Sequence, residues 1–355
     1  MTDFTKDQPQ DDGPTESGRP DRPVVRQQSW ECPGAAEIEI AIDIGRVRVD
    51  LVETPAEGAG AGEVHVEVRH DPETGGGFAQ GVRGLMNWVS NASTNWTGGV
   101  GFGGWERSGD QGFDSGSWDA GSWDSDRFAA EAVRAAEISW SEAGRRLVVR
   151  SAPDMPLRIV PLAVTVRAPA GSRLAARTGA GGVTVAGRAG WAALRTGSGR
   201  VVAGDVDGDL DVNAGSGDVT VGAVRGRSRV RTGTGDISVA ATGGPMDVKA
   251  GSGQVQIGRL DGDLGARTGS GDVRVIDAVS GSCDVTTGSG DVIISVHPGV
   301  VAEVDLSSGS GTARSDLVVN AMPPARSPAL RLRGRTGSGD VLVTRAHPAP
   351  EGAPA

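Results

Sequence analysis

One phrase, Thr/Ala-Gly-Ser-Gly-Asp-Val, returns in near-copies through the C-terminal half of the chain. It opens at Gly179, Gly197, Gly215, Gly233, Gly251, Gly269, Gly288, Gly309 and Gly337. The first five steps between copies are 18 residues each, and the rest are 19, 21 and 28. A near-constant period of this length marks a repeat architecture, in which each unit buries its apolar side against its neighbour.

Alignment on that period sorts the apolar residues into columns. One column runs Ala192, Leu210, Ser228, Met246, Leu264, Cys283; two residues on lies Leu194, Val212, Val230, Val248, Ala266, Val285. Beyond the glycine turn come Val183, Val201, Val219, Ile237, Val255, Val273, Val292, and then Val185, Ala203, Val221, Val239, Ile257, Val275, Ile294. A fifth column holds Val206, Val224, Thr242, Leu260 and Val279, just ahead of a second glycine. Alternation with period two describes strands, and glycines at the corners supply the positive φ that other residues avoid. The sequence therefore reads as all-β: a parallel β-solenoid (β-helix) of about 18-residue coils with two strands per coil. Its columns stack at the ~4.8 Å strand spacing. A three-sided hexapeptide helix is disfavoured, because its third side would point Asp218 and Asp236 inward.

The flanks divide the chain further. Residues 1–28 are polar and read as a disordered tail. Residues 29–155 read as an N-terminal β cap, with strands over 36–53 (turning at Gly45) and 63–69. A Gly/Trp-rich insert occupies 74–125, with a short helical piece at Gly84–Ser90. A short helix is expected over 126–136, N-capped by Asp126, with Phe128, Ala132, Val133 and Ala136 on its packing face. A hairpin follows over Glu137–Ser141 and Arg146–Ser151, and Leu157–Arg167 reads as a strand. The solenoid takes 156–345 and a disordered tail takes 346–355. An open solenoid edge would recruit other chains, so the N-terminal block is expected to cover the first coil. The other end is expected to finish on Val341–Val343.

The repeated Arg-Thr-Gly-Ser-Gly-Asp-Val-x-Val phrase, at Arg267–Val275 and Arg335–Val343, is similar to that of the putative-adhesin family of uncharacterised β-strand-repeat proteins. The lead-in Val164-Thr-Val-Arg-Ala-Pro-Ala-Gly-Ser172 matches as well. The resemblance covers roughly residues 36–70 and 137–345. It implies a β-solenoid and no established activity.

Candidate sites are few. The turns leave an aspartate column, Asp218, Asp236, Asp272, Asp291 and Asp340, of which the first four are the weak metal candidates. Stacked turns of oxygen ligands could hold Ca²⁺ in the manner of a calcium-binding β-roll. However, Gly182, Arg200, Gln254 and Thr312 interrupt the column, and Asp follows its glycine directly. The expectation is that each Asp caps its own turn, with no metal and no cofactor. A basic column, Arg177, Arg195, Arg231, Lys249, Arg267 and Arg335, reads as outward side chains balancing those aspartates; binding of an anionic polymer is the alternative. The repeated turn serines are too regular to be nucleophiles. The spacing of Gly99, Gly101 and Gly104 lacks the βαβ context of a dinucleotide loop. His65 and His70 fall on opposite sides of one strand, and Cys283 reads as a buried structural thiol. The candidates for partner contact are Trp105, Trp118 and Trp123 in the insert, since exposed aromatics mark contact surfaces.

Net charge −10 and pI near 5.0 argue against a nucleic-acid partner. Met1–Gln28 lacks the apolar core of a signal peptide, and no run of 18 apolar residues occurs, so a cytoplasmic location is expected. The functional reading is a non-enzymatic scaffold or binding module, monomeric or a small homo-oligomer, presenting outward ladders to a protein or polysaccharide. The alternatives are a polymer-forming scaffold resembling the bactofilins and, more weakly, the calcium-binding β-roll.

Overall fold

The computed structural model describes residues 24–53, 62–74, 125–318 and 328–346. The helical piece expected at Gly84–Ser90, most of the tryptophan insert and the C-terminal tail from 347 lie outside the described residues. Before the repeats come β1 (Val25–Glu31), β2 (Glu37–Val52), β3 (Glu63–His70), α1 (Ser125–Ala135), β4 (Glu137–Ser141), β5 (Arg146–Arg150) and β6 (Leu162–Pro169). The repeats supply β7 (Arg173–Ala180), β8 (Val183–Ala189), β9 (Trp191–Ser198), β10 (Val201–Val206), β11 (Leu210–Ser216) and β12 (Val219–Val224). They continue with β13 (Ser228–Thr234), β14 (Ile237–Thr242), β15 (Met246–Ser252), β16 (Val255–Asp261) and β17 (Leu264–Ser270). The end is built from β18 (Val273–Ser289), β19 (Val292–Val296), β20 (Ala302–Ser310), β21 (Ala313–Ser315), β22 (Leu330–Ser338) and β23 (Val341–Arg345).

Among the described residues these strands join one long, mostly parallel, 23-stranded sheet, and those residues are nearly all β. Pairing runs in two series. In one, β7, β9, β11, β13, β15 and β17 pair in turn and continue through the second half of β18 to β22 and β20. In the other, β8, β10, β12, β14 and β16 lead through the first half of β18 to β19, β23 and β21. Val201 faces Val219, Val219 faces Ile237 and Ile237 faces Val255, a step of 18 each time. In both series the apolar columns are the buried positions: Val212, Val230 and Val248 are each 0% exposed. Full burial of one such valine contributes about 1.5–3 kcal/mol, so the columns supply the core.

Strand β2 serves both series, and Gly45 is where it changes. Its buried residues are Ile38, Ile40 and Ile42 before the glycine and Val47, Val49 and Leu51 after it, a switch of phase. Gly45 has φ +125° and its carbon would meet the Leu162 carbonyl at 1.9 Å, so no other residue makes this corner. The strand lies between β5 and β7 in one series and between β6 and β8 in the other. The expectation that residues 36–53 belong to a terminal cap is therefore corrected: they form an interior layer. Beyond them, antiparallel strands take the outer positions: β3 and then β1 next to β6, and β4 next to β5. Trp30 from β1 and Trp140 from β4 stack with centroids 5.5 Å apart, joining the outermost strands of the two series. Helix α1 buries Ala129, Ala132 and Val133, and Arg26 donates to the carbonyls of Arg134 and Ala136 at and just past its C-terminus.

The far end shows a similar exchange of order. Strand β22 sits between β18 and β20, and β23 between β19 and β21. Among the described residues the outermost strands are thus Ala302–Ser310 and Ala313–Ser315, not Val341–Val343 as expected. The 28-residue step before the last phrase gives the chain enough length to return inside the coil it has just laid down. Inward residues of β22 (Leu330, Leu332) are buried, whereas Val304 and Leu306 of β20 are only half-buried. Smaller corrections also follow. The tail yields to β1 at Val25, within the stretch read as disordered, because Gln28 and Trp30 pair with β3. Helix α1 begins at Ser125, which puts Asp126 inside it instead of at its cap. Leu157–Ile159 is a 3₁₀ turn and the following strand starts at Leu162, after Pro161. A register shift after Leu260 places Ala278, not Val279, in the fifth column.

Candidate functional site

The described surface is dictated by the turns. In each phrase the second glycine carries positive φ, from +114° at Gly217 to +141° at Gly311. It lies against the carbonyl of its counterpart one coil away: a carbon on Gly199 would sit 2.4 Å from Gly181 O. The preceding threonine is buried and its hydroxyl reaches that same corner. Thr196 Oγ1 is 3.0 Å from Gly181 O and 2.9 Å from Ser198 O, and Thr232, Thr287 and Thr336 repeat the contact. The repeated phrase marks these threonines by their fixed place before the first glycine, but only stacking brings their hydroxyls to the neighbouring corner.

The aspartates do not cap their own turns. Each reaches across to the next coil: Asp236 Oδ1 accepts from Gln254 N at 2.8 Å, Asp272 from Asp291 N at 2.9 Å and Asp291 from Asp340 N at 2.8 Å. Asp218 accepts from Asp236 N at 3.2 Å. The second corner repeats the device, with Asp205, Asp209 and Asp263 accepting from Ala223 N, Arg227 N and Ser282 N. Hydrogen bonds from Ser282, through its hydroxyl and then its N–H, hold Asp263 below the usual carboxylate range; those from Thr312 N–H and hydroxyl do the same for Asp340. The four metal candidates are thus spread one per coil and committed to backbone donors. Among the described residues no three of His, Cys, Asp and Glu gather where a metal could be held.

The two series present different outer faces. On β8, β10, β12, β14 and β16 the outward row reads Thr184, Val202, Thr220, Ser238, Gln256. On the other series two charged rows run side by side. One alternates in sign, with Asp211, Arg229 and Asp247 in register. The other is the basic column, where Arg177 faces Arg195, Arg231 faces Lys249 and Lys249 faces Arg267. Asn213 stands between Arg195 and Arg231, and Thr286 between Arg267 and Arg335. Ala41 and Arg150 extend the row at one end and Ser307 at the other.

This column does not balance the turn aspartates, which corrects the expectation. Its nearest carboxylates lie on the same face: Glu39 is 3.1 Å from Arg150, Asp247 is 4.0 Å from Arg231 and 3.9 Å from Lys249, and Asp305 is 3.8 Å from Arg335. No ion pair involves Arg177, Arg195 or Arg267 among the described residues. At the Arg150 end lies an open cleft of about 330 Å³ lined by Ala41, Asp43, Arg150, Arg158 and Arg177. Asp43 there is gripped by Arg158 at 2.8 Å and 3.1 Å and by the Ser151 hydroxyl at 2.8 Å. The Arg158 contact chiefly holds its carboxyl low, against partial burial, so it is a committed anion with no proton to exchange.

Cys283 is buried in its inward column, and desolvation pushes its thiol up to about 12. Cys32 is buried too and its thiol is raised by desolvation. A protonated, enclosed thiol is a poor nucleophile. His65 bonds Ser29 Oγ at 2.8 Å and His297 bonds Asp277 at 2.8 Å, far apart along the stack. Trp105, Trp118 and Trp123 lie outside the described residues. No described helix is long and apolar enough to cross a membrane.

A model of the Toastrack DUF4097 family matches residues 163–344, just over half of the chain. No curated protein matches the sequence at a significant level. Three crystal structures are similar in kind. A putative cell adhesion protein from Clostridium sporogenes is 7% identical, with 91% of this chain and 100% of that one covered and a TM-score of 0.18. A putative adhesin from Bacteroides fragilis is 8% identical, with 90% and 97% covered and a TM-score of 0.29. A putative adhesin from Parabacteroides distasonis is 9% identical, with 91% and 95% covered and a TM-score of 0.27. Superpositions this loose carry no argument about the present chain.

Proposed function

The chain belongs to the Toastrack DUF4097 family, and on that premise we propose that it is a non-enzymatic β-solenoid of about 18-residue, two-stranded coils. It works as a binding module whose outward ladders meet a protein or a polysaccharide. The carrying observation is where the polar chemistry goes. The aspartates of both corners and the threonines of the Gly-Ser-Gly turns are spent on joining one coil to the next. Asp43 is bound to Arg158, and both cysteines are buried. Catalysis needs an acid, base or nucleophile free to act at one place, and these side chains are committed to the fold. The 18-residue step in register supports the coil size, and the alternation of the two series supports two strands per coil.

The capped N-terminal end, with antiparallel β1, β3 and β4 and the Trp30–Trp140 stack, favours a discrete species over an end-to-end polymer, because stacking needs free parallel edges. Sedimentation velocity over a hundredfold range of concentration tests this. A single small species is expected; filaments that lengthen with concentration would replace the module with a bactofilin-like scaffold.

A further inference from the structure

We propose that the anion-free row on the β7–β22 face is a track for a linear anionic polysaccharide, laid along the stack with its carboxylates against successive coils. The inference rests on the binding-module reading and names its partner. Three observations carry it. From Ala41 to Ser307 the row holds no acidic residue, in a chain of net charge −10, and it ends at Arg150, which pairs with Glu39 at 3.1 Å and faces Glu137 on the next strand. The row beside it solves the same structural problem by alternating Asp211, Arg229 and Asp247. In-register like charges repel at the ~4.8 Å strand spacing, and Asp247, 4.0 Å from Arg231 and 3.9 Å from Lys249, is one carboxylate shared between two cations, so the line of charge is only partly offset within the fold. The opposite face, made by the same repeat, carries uncharged residues from Thr184 to Gln256 at the matching outward position.

The geometry selects the ligand. The cations stand on one strand face at the spacing of the strands, interrupted at Asn213 and Thr286, which suits an extended polymer that carries charge along its length. Arg195 and Arg267 have no ion pair among the described residues, so a ligand need not displace one there, whereas Arg177 also feels the Asp43 carboxylate. A guanidinium fork accepts a carboxylate with two parallel hydrogen bonds. A nucleic-acid strand also carries regular charge, but bases need aromatic platforms, and Trp191, the aromatic residue on the repeat strands, already stacks with Arg173 at 5.2 Å.

The test uses the full chain with polygalacturonate, dextran and oligo-dT as probes, measured by calorimetry across a salt series. Polygalacturonate should bind, with affinity falling as salt rises, while dextran should not bind and oligo-dT should bind more weakly. The triple variant Arg195→Ser, Arg231→Ser, Arg267→Ser should lose polygalacturonate affinity by about tenfold or more through the lost charge contacts. Its melting midpoint should equal or exceed that of the parent, because like-charge repulsion is relieved. The control Arg225→Ser, Arg259→Ser, Arg274→Ser changes net charge equally off the row and should retain binding. Equal losses in both triples, equal or tighter binding of oligo-dT, or a destabilised row variant would overturn the track. Binding of dextran instead of polygalacturonate would also overturn it while leaving the module intact. Filaments of the parent protein would overturn the module itself.

Discussion

Gly235→Ala isolates the interaction that sets the coil-to-coil distance. Gly235 has φ +120°, and a carbon added there would lie 2.4 Å from Gly217 O and 2.6 Å from Gly217 C. Both are backbone atoms, so no flexible side chain can yield. Two effects add. The left-handed backbone costs a side-chain-bearing residue about 1–2 kcal/mol. Relieving the contact also requires the turn to open, and the bonds that flank it are Gly217 N to Thr234 O at 2.9 Å and Val219 N to Asp236 O at 2.8 Å. Weakening both forfeits roughly 1 kcal/mol each, for a total of about 3–4 kcal/mol. Gly171→Ala is the matched control: its φ is +78°, but nothing lies within 4 Å of the added carbon. It should lose only the conformational part, about 1–2 kcal/mol. Urea unfolding followed by β-type circular dichroism gives both losses. Because repeat chains open in parts, native-state hydrogen exchange at Gly217 and Val219 should localise the first. Equal losses at the two glycines, or unchanged exchange at those amides, would refute the claim that stacked glycine carbonyls set the spacing.

Val230→Asp should bury an unpaired charge between Val212 and Val248 and unfold the neighbouring coils, seen as loss of the β signal; Arg229→Ser, one residue away and outward, should change the unfolding midpoint little. Millimolar CaCl₂ and EDTA should give the same melting midpoint, since the turn aspartates already accept backbone N–H groups in the next coil; a rise specific to calcium would count against that arrangement. The depressed carboxyls of Asp263 and Asp340 make their contribution fully above the unfolded carboxylate value of about 3.9 and lose it as pH falls through their lower folded values. Asp340→Asn should flatten that acid limb in urea midpoints taken from pH 6 downward, and an unchanged limb would show that the bond to Thr312 is idle. Cys283 should resist a thiol reagent in the native protein and react fully in urea, because its raised thiol is enclosed; rapid native labelling would show the column to be open.

The candidate site was partly legible before any coordinates. The basic column and the aspartate column were visible as repeats at the right spacing, but their partners were not. Spacing along the chain shows that Asp236 follows a turn. It does not show that its carboxylate reaches Gln254 N, which is near only after coils stack. In the same way the basic column reads as balanced by nearby aspartates until the strands place those aspartates at the corner and leave Arg195 and Arg267 on the open face.

The strands, their inward columns and their glycine corners are set by local rules. Alternation has period two, a positive φ calls for glycine, and both are written in consecutive residues such as Val219–Val221 and Gly215–Gly217. These determined the all-β repeat character of the chain. The order of layers at the two ends was decided only by tertiary structure. Inserting β2 between β6 and β8, or β22 between β18 and β20, leaves every strand's own pattern unchanged. A parallel strand offers the same donors, acceptors and buried face to any neighbour in register, so a strand's pattern is blind to which neighbour it meets. That choice falls to the lengths of the connections and to which faces remain to be covered when the chain returns.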